Sequence, residues 1–158
     1  MSLHAYVINM DSNPERYDSI SKILNRIGIE YTRIPAVIGK DARKIVGVEK
    51  YVKPDGLSDG ELGCALSHIK TWNTILEKGE SHGIVFEDDA FSYIDKTQFD
   101  ETIKNIFEKV PDFDIIYLGV CLDNCSKIKN ISSNIFRSYN PLCTHAYIIS
   151  AAFIRQLL

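Results

Sequence analysis

The sequence predicts an α/β fold with a largely parallel central sheet flanked by helices. Three observations carry this expectation. Short apolar runs alternate with stretches of helical periodicity along the chain. Strand, helix and strand follow one another within about thirty residues at the start, the size of a βαβ unit. Length and composition suit one globular domain over residues 1–158: 45% of residues are hydrophobic and 25% charged. A chain of this size buries a sizeable core without disulfides or metal staples.

Ala5–Met10 reads as a buried strand. Ser12-Asn13-Pro14-Glu15 then fits a capping box with proline early in the helix. Tyr17, Ile20, Leu24 and Ile27 recur at helical spacing, and Gly28 closes the helix. Ile29–Ile34 is the second strand, ended by Pro35. The segment Ile38–Leu57 carries Gly39, Gly47, Pro54 and Gly56 and reads as a long loop over one end of the sheet, with a short helix near Ala42–Val46. Loops of that length in compact domains are usually functional. Ser58-Asp59-Gly60-Glu61 is a second capping box, opening a helix with Leu62, Leu66, Ile69, Trp72 and Leu76 on one face.

Gly83–Phe86 is the next strand, running into Glu87-Asp88-Asp89. A helix around Gln98–Lys109 stops at Pro111. Asp114–Leu118, Ile135–Tyr139 and Ala146–Ile149 read as further strands, with a polar loop over Cys121–Asn134. Ser150 caps a last helix. In parallel sheets, ligands sit beyond the carboxyl ends of the strands. That rule singles out Met10-Asp11, Ala36-Val37 and Glu87-Asp88-Asp89.

Lys and Arg number 18 and Asp and Glu 21, a net charge of −3, which lacks the basic footprint of a nucleic-acid binder. No apolar run approaches the ~20 residues of a membrane span. Met1-Ser2-Leu3-His4 lacks the pattern of a signal peptide. Cys64, Cys121, Cys125 and Cys143 are too few and too scattered for a disulfide scaffold, so a reducing, cytoplasmic setting is expected.

Three groups of residues are suited to chemistry. Glu87-Asp88-Asp89 places three carboxylates at a strand end, where solvent or a cation must offset their repulsion. Oxygen ligands suit Mg²⁺ or Mn²⁺, and alternation puts Glu87 and Asp89 on one side and Asp88 on the other. An acidic turn capping the next segment fits the same residues. Asn9, Asp11 and Arg16 gather where the first strand meets the first helix, and suit either a phosphate or a capped helix with a solvated arginine. Glu61, Cys64 and His68 share a helix face; Cys64 and His68 suit zinc, but no full ligand set lies nearby in the sequence, and a structural role is the expected reading for Cys64. Gly63 in a helix interior calls for close packing or a ligand. Cys121, Cys125, Cys143 and His145 match no standard zinc spacing, and His145 reads equally as a structural or a site residue.

Taken in order, several segments resemble glycosyltransferase family 25, which includes bacterial lipooligosaccharide galactosyltransferases and has related domains in animal collagen galactosyltransferases. They are Tyr6-Val7-Ile8-Asn9-Met10-Asp11 with Pro14-Glu15-Arg16, Ile34-Pro35-Ala36-Val37 with Gly39, Leu57-Ser58 with Glu61-Leu62-Gly63-Cys64 and Ser67-His68, Trp72, Ile84-Val85-Phe86-Glu87-Asp88-Asp89, and Thr144-His145-Ala146-Tyr147-Ile148-Ile149-Ser150.

The resemblance implies a GT-A-like, Rossmann-like fold and metal-dependent transfer of a sugar, galactose foremost, from a UDP-sugar to a glycan acceptor in lipooligosaccharide or lipopolysaccharide biosynthesis. On that analogy Asn9, Asp11, Arg16, Ala36, Val37, Ser67, His68, Glu87 and Asp88 line the donor pocket. Asp89, with Glu87, holds Mn²⁺ or Mg²⁺. The motif has Glu where that fold's Asp-x-Asp has Asp, which leaves the division of roles between Glu87 and Asp88 open. It also implies a cytoplasmic enzyme with peripheral contact at the inner membrane.

Family members usually continue beyond the Thr-His-Ala-Tyr segment, where acceptor contacts and the general base often lie. The expectation is therefore a chain that binds donor but transfers sugar poorly, with a non-catalytic nucleotide-sugar-binding domain as the alternative and a metal-dependent phosphohydrolase as a more distant one. Ala152, Phe153, Leu157 and Leu158 are expected to lack cover and to favour self-association through the last helix. A base within these residues would come from His145, Asp112, Asp114 or Asp123.

Overall fold

The computed structural model describes residues 3–45, 47–121, 127–132, 134–139 and 141–158. Five strands form the main sheet: β1 (Ala5–Asn9), β2 (Tyr31–Pro35), β3 (His82–Glu87), β4 (Ile115–Tyr117) and β7 (Ala146–Ser150), in the order β2-β1-β3-β7-β4. β1 pairs in parallel with β2 and with β3. β7 is antiparallel to both of its neighbours. The sheet is mostly parallel, as expected, with one reversed strand that the apolar pattern does not distinguish from the others.

Burial on both faces explains why these strands are almost uninterrupted apolar runs. Ala5, Val7, Ile84, Phe86, Ala146 and Ile148 face the helices α1 (Pro14–Ile27) and α4 (Lys96–Lys109). The alternate residues Tyr6, Ile8, Val85, Tyr147 and Ile149 face α3 (Asp59–Glu77) and α5 (Ala151–Leu157). A smaller cluster of Ala42, Val48, Leu62 and Leu66 lies beneath the long loop. That loop contains a short α2 (Gly39–Ala42) and a 3₁₀ turn, Val48–Lys50. The helix therefore precedes the predicted Ala42–Val46 segment, whose Val46 lies outside the described residues.

The caps are partly as the sequence predicts. Ser58 and Glu61 form the reciprocal capping box of α3, and the Ser150 hydroxyl accepts from Phe153 N to start α5. Gly28 takes the left-handed conformation that closes α1. The Ser12–Glu15 box does not form. Asn13 occupies the N-cap without a side-chain cap bond; its Oδ1 accepts instead from the Ser12 hydroxyl at 3.4 Å, and its carbonyl is held by the Asn9 amide. α4 begins earlier than predicted, at a capping box of Asp95 and Gln98.

Two further corrections concern the second half. The predicted polar loop contains a strand, β5 (Lys129–Ser132), which pairs with β6 (Ile135–Arg137) as a separate hairpin. Its side chains are largely exposed, so it has no apolar run to reveal it. Cys121 and Cys143, too scattered in the sequence to suggest a disulfide scaffold, form a disulfide that ties the segment after β4 to the one before β7. With their sulfurs bonded to each other, they offer no thiolate to a metal beside His145, and Cys125 lies outside the described residues. In α5, Ala151 and Ile154 are buried and Phe153 packs against the second cluster. Leu157 and Leu158 are exposed. Among the described residues no helix is long and apolar enough to cross a membrane.

Candidate functional site

The carboxyl ends of β2, β1 and β3 lie side by side, and the start of the reversed β7 joins them. Asn9, Pro35 and Glu87 end three adjacent strands, and Thr144-His145 enters the fourth. The N-terminal half of α3 covers this edge. The fold thus gathers every segment singled out for donor binding at one end of the sheet.

Asn9 is the hub of one side. It is 1% exposed, so its amide must find partners. Its Nδ2 donates to Asp88 Oδ2 at 2.8 Å and to the Asn13 carbonyl at 2.9 Å. Its Oδ1 accepts from Arg33 Nε at 2.8 Å. Arg33 also pairs with Asp11 at 2.6 Å. Arg16 reaches Asp88 at 3.4 Å, but its side chain remains 53% exposed. Asn9 is therefore fully committed as a brace that holds Asp88, while most of the Arg16 guanidinium faces solvent. Arg33 was not found from the sequence. Its only signal is a cation in the second strand, in register with Val7, where sequence gives no hint of its partners.

Ala36 and Val37 are placed by backbone bonds. Ala36 N donates to the Asn9 carbonyl at 3.0 Å, and Val37 N donates to Ser67 Oγ at 2.8 Å. Ser67 Oγ donates to the Gly63 carbonyl at 2.6 Å. Ser67 is buried and ties this loop to α3. The loop and helix touch through glycines: a Cβ on Gly63 would meet the Val37 carbonyl oxygen at 2.6 Å, and one on Gly39 would collide with the Asp59 carbonyl. Close packing is the reason Gly63 stands inside a helix.

On the other side, His68 is 5% exposed. Its Nδ1 lies 2.8 Å from Tyr147 Oη and its Nε2 3.2 Å from Glu87 Oε1. Trp72 Nε1 donates to Tyr147 Oη at 2.9 Å. Thr144 Oγ1 donates to Glu87 Oε1 at 2.6 Å. Burial disfavours a charged imidazole, but hydrogen bonding to Cys64 and to Glu87 outweighs it and pushes the His68 pKa up to about 9. The His68 bond, helped by Thr144, holds the Glu87 carboxyl below its ordinary range against the opposing effect of burial. Burial also pushes the Tyr147 phenol upward. His68 is thus a buried bridge between α3, β3 and β7.

This polar network changes which face of α3 is buried. The predicted stripe held Leu62, Leu66, Ile69, Trp72 and Leu76. The buried residues are Leu62, Gly63, Leu66, Ser67, His68, Thr71 and Ile75, with Trp72 and Leu76 half-buried. Thr71 meets its burial by donating to the Ser67 carbonyl.

Asp89 is exposed and has no hydrogen-bond or ion-pair partner among the described residues. As expected from strand alternation, Glu87 and Asp88 turn to opposite sides, toward α3 and toward α1. His145 lies 3.8 Å from Cys121 Sγ, and its carbonyl accepts from Glu87 N. Of the acidic base candidates, Asp114 stands at the far end of the sheet, where its carbonyl accepts from Ser150 N. Asp112 precedes it there, and Asp123 lies outside the described residues.

The profile of a family described as "Glycosyltransferase family 25 (LPS biosynthesis protein)" matches residues 2–158. A "Procollagen galactosyltransferase 1-A" of Xenopus laevis is 30% identical over 125 residues, covering 72% of this chain and 20% of its own length. A "Glycosyltransferase 25 family member" of Drosophila melanogaster is 29% identical over 72% of the chain and 20% of its own. A "Probable inactive glycosyltransferase 25 family member 3" of Bos taurus is 29% identical over 97% of the chain and 28% of its own. The chain spans between a fifth and three tenths of these relatives.

Proposed function

The chain belongs to glycosyltransferase family 25, and from that membership we propose that it binds a UDP-sugar, with galactose as the sugar, for transfer to a lipooligosaccharide-type glycan acceptor at the cytoplasmic face of the membrane. The single observation that carries this reading is the convergence of three strand ends around Asn9, Asp88 and Arg16, next to an exposed Asp89 that has no partner among the described residues. Strand ends of this kind are where α/β sheets bind ligands. The sheet order, with one reversed strand, is compatible with a GT-A-like arrangement.

In this reading Arg16 supplies the exposed guanidinium that meets a phosphate with several donors. The backbone at Ala36-Val37, clamped by Ser67 and Asn9, forms the wall for the base and ribose. Asn9 and Arg33 position Asp88. The donor set fits a hard divalent cation, Mn²⁺ or Mg²⁺: Asp89 is an exposed carboxylate with no partner among the described residues, and Glu87 has a second oxygen beyond the one committed to His68 and Thr144. When bound, such a cation neutralises charge on the departing diphosphate.

A second reading, nucleotide-sugar binding without transfer, is favoured by the Bos taurus relative, which matches 97% of the chain and carries the description "probable inactive". Titration calorimetry with UDP tests the shared step. Binding in Mn²⁺, its loss in excess chelator and its weakening by Asp89→Asn are expected; equal affinity in chelator overturns the cation's role. Release of sugar from radiolabelled UDP-galactose, with and without a lactosyl acceptor, separates the two readings.

A further inference from the structure

We propose that Cys64, His68 and Glu87 form a binding site for a thiophilic divalent cation of the zinc class, separate from the donor cation and sharing only Glu87 with it. In the sequence, Cys64 and His68 stand one helical turn apart without a full ligand set, and Glu61 on the same face is committed to Ser58. The fold supplies it: β3 ends with Glu87 beside that turn of α3, and the ligand atoms of all three residues lie within 4.8 Å of one another.

The spacing is close to that of a metal-loaded site. His68 Nε2 and Glu87 Oε1 are 3.2 Å apart. Zinc bonds of 2.0–2.1 Å at a tetrahedral angle set a nitrogen and an oxygen ligand about 3.3 Å apart. Little movement is needed to place a cation between them. The other imidazole nitrogen is already held: Nδ1 faces Tyr147 Oη at 2.8 Å, and Tyr147 is itself pinned by Trp72. An outer partner of this kind fixes the ring and leaves Nε2 as the coordinating atom. Thr144 steadies the carboxylate in the same way.

The chemistry of the set selects the metal. A thiolate, an imidazole and one carboxylate suit zinc, whereas Mg²⁺ and Mn²⁺ prefer oxygen throughout. Cys64 is a free, exposed thiol, so the fourth position opens to solvent, the arrangement of three-ligand zinc sites that retain an exchangeable position. On binding, the cation takes the place of the proton between Nε2 and Glu87 and of the Cys64 thiol proton, and both protons leave to solvent. No electron transfer is involved. The bound ion would lock α3 to the end of β3 at the rim of the donor site.

The test uses the whole chain and Co²⁺ alone as the probe. The parent protein is expected to show a thiolate-to-cobalt charge-transfer band. The band should persist in Asp89→Asn and in the Cys121→Ser, Cys143→Ser double variant, and vanish in Cys64→Ser. Zn²⁺ affinity, read by competition with a chromophoric chelator, should fall about 100-fold or more in Cys64→Ser, beyond what loss of an outer partner costs. Since Cys64 is exposed, Cys64→Ser should retain the parent's circular dichroism. Absence of the band in the parent, its survival in Cys64→Ser, or its loss in Asp89→Asn overturns the proposal. Because UDP is absent throughout, these outcomes are independent of donor binding.

Discussion

Glu87 and Asp88 are neighbours in the chain, yet their surroundings are built on different terms. Glu87 turns toward His68, Tyr147 and Trp72, a network brought together from α3 and β7 in which His68 and Tyr147 are buried while Glu87 and Trp72 stay partly exposed. Asp88 turns toward Asn9 and Arg16, and through Asn9 toward Arg33 and Asp11, with both arginines and Asp11 partly or largely exposed. On the Glu87 side the polar groups mostly satisfy one another. On the Asp88 side the guanidinium of Arg16 retains donors that face solvent. Buried partners give rigidity, since each lost bond strands a desolvated group. Exposed charged partners add little stability, but they leave donors for a ligand.

The largest expected difference between the two sides is in stability. Tyr147→Ala removes a side chain that is 1% exposed and unpartners both Trp72 Nε1 and His68 Nδ1. It should cost roughly 3–5 kcal/mol, like other aromatic truncations in cores, measured by denaturant unfolding. A cost near that of a surface substitution would show that the Glu87 side is not the rigid one.

A somewhat smaller effect is expected from pH. The His68 pKa is raised from 6.5 to about 9 in the folded chain. Its contribution is then fully present below pH 6.5 and is lost as pH rises through about 9. Glu87 is depressed from 4.5, so its contribution is present above that value and is lost as pH falls below it. In metal-free buffer, the stability gap between the parent and His68→Gln should be widest between pH 4.5 and 6.5 and shrink by on the order of 3 kcal/mol by alkaline pH. A gap that grows with pH would reverse the assignment of charge to the pair.

The smallest stability effect, and the one that sharpens the contrast, belongs to Arg16→Ala. Its ion pair is long and its side chain 53% exposed, so unfolding free energy should change by less than about 1 kcal/mol. UDP affinity should nevertheless fall clearly in the same calorimetric titration. Unchanged affinity would leave the Asp88 side without a ligand-facing role.

Much of the fold was legible because it is written in local patterns. The apolar runs at Ala5–Asn9, His82–Glu87 and Ala146–Ser150, the helical spacing of Ile20, Leu24 and Ile27, and the Ser58–Glu61 box each report a preference that a few adjacent residues settle among themselves. The meeting of Asn9, Pro35 and Glu87 at one edge was legible for a related reason, since the parallel-sheet rule directs attention to strand ends. Missing were the reversal of β7, the solvent-exposed β5, the Cys121–Cys143 bond and the partners of Arg33.

The sequence by itself determined the strands and helices of the main sheet, though not β5, and brought Asn9, Ala36 and Glu87 to the carboxyl ends of the strands, because backbone preference and hydrophobic period act over short separations. Only the tertiary structure decided what those residues do there. His68 reads as a helix residue of undecided use until Glu87, 19 residues on, and Tyr147, 79 residues on, are placed against its two nitrogens. Asp89 differs from Glu87 and Asp88 in being exposed and in having no partner among the described residues. A side chain's role depends on the groups that compete for its hydrogen bonds and on the water excluded around it. Both are properties of chain crossings that no local spacing encodes.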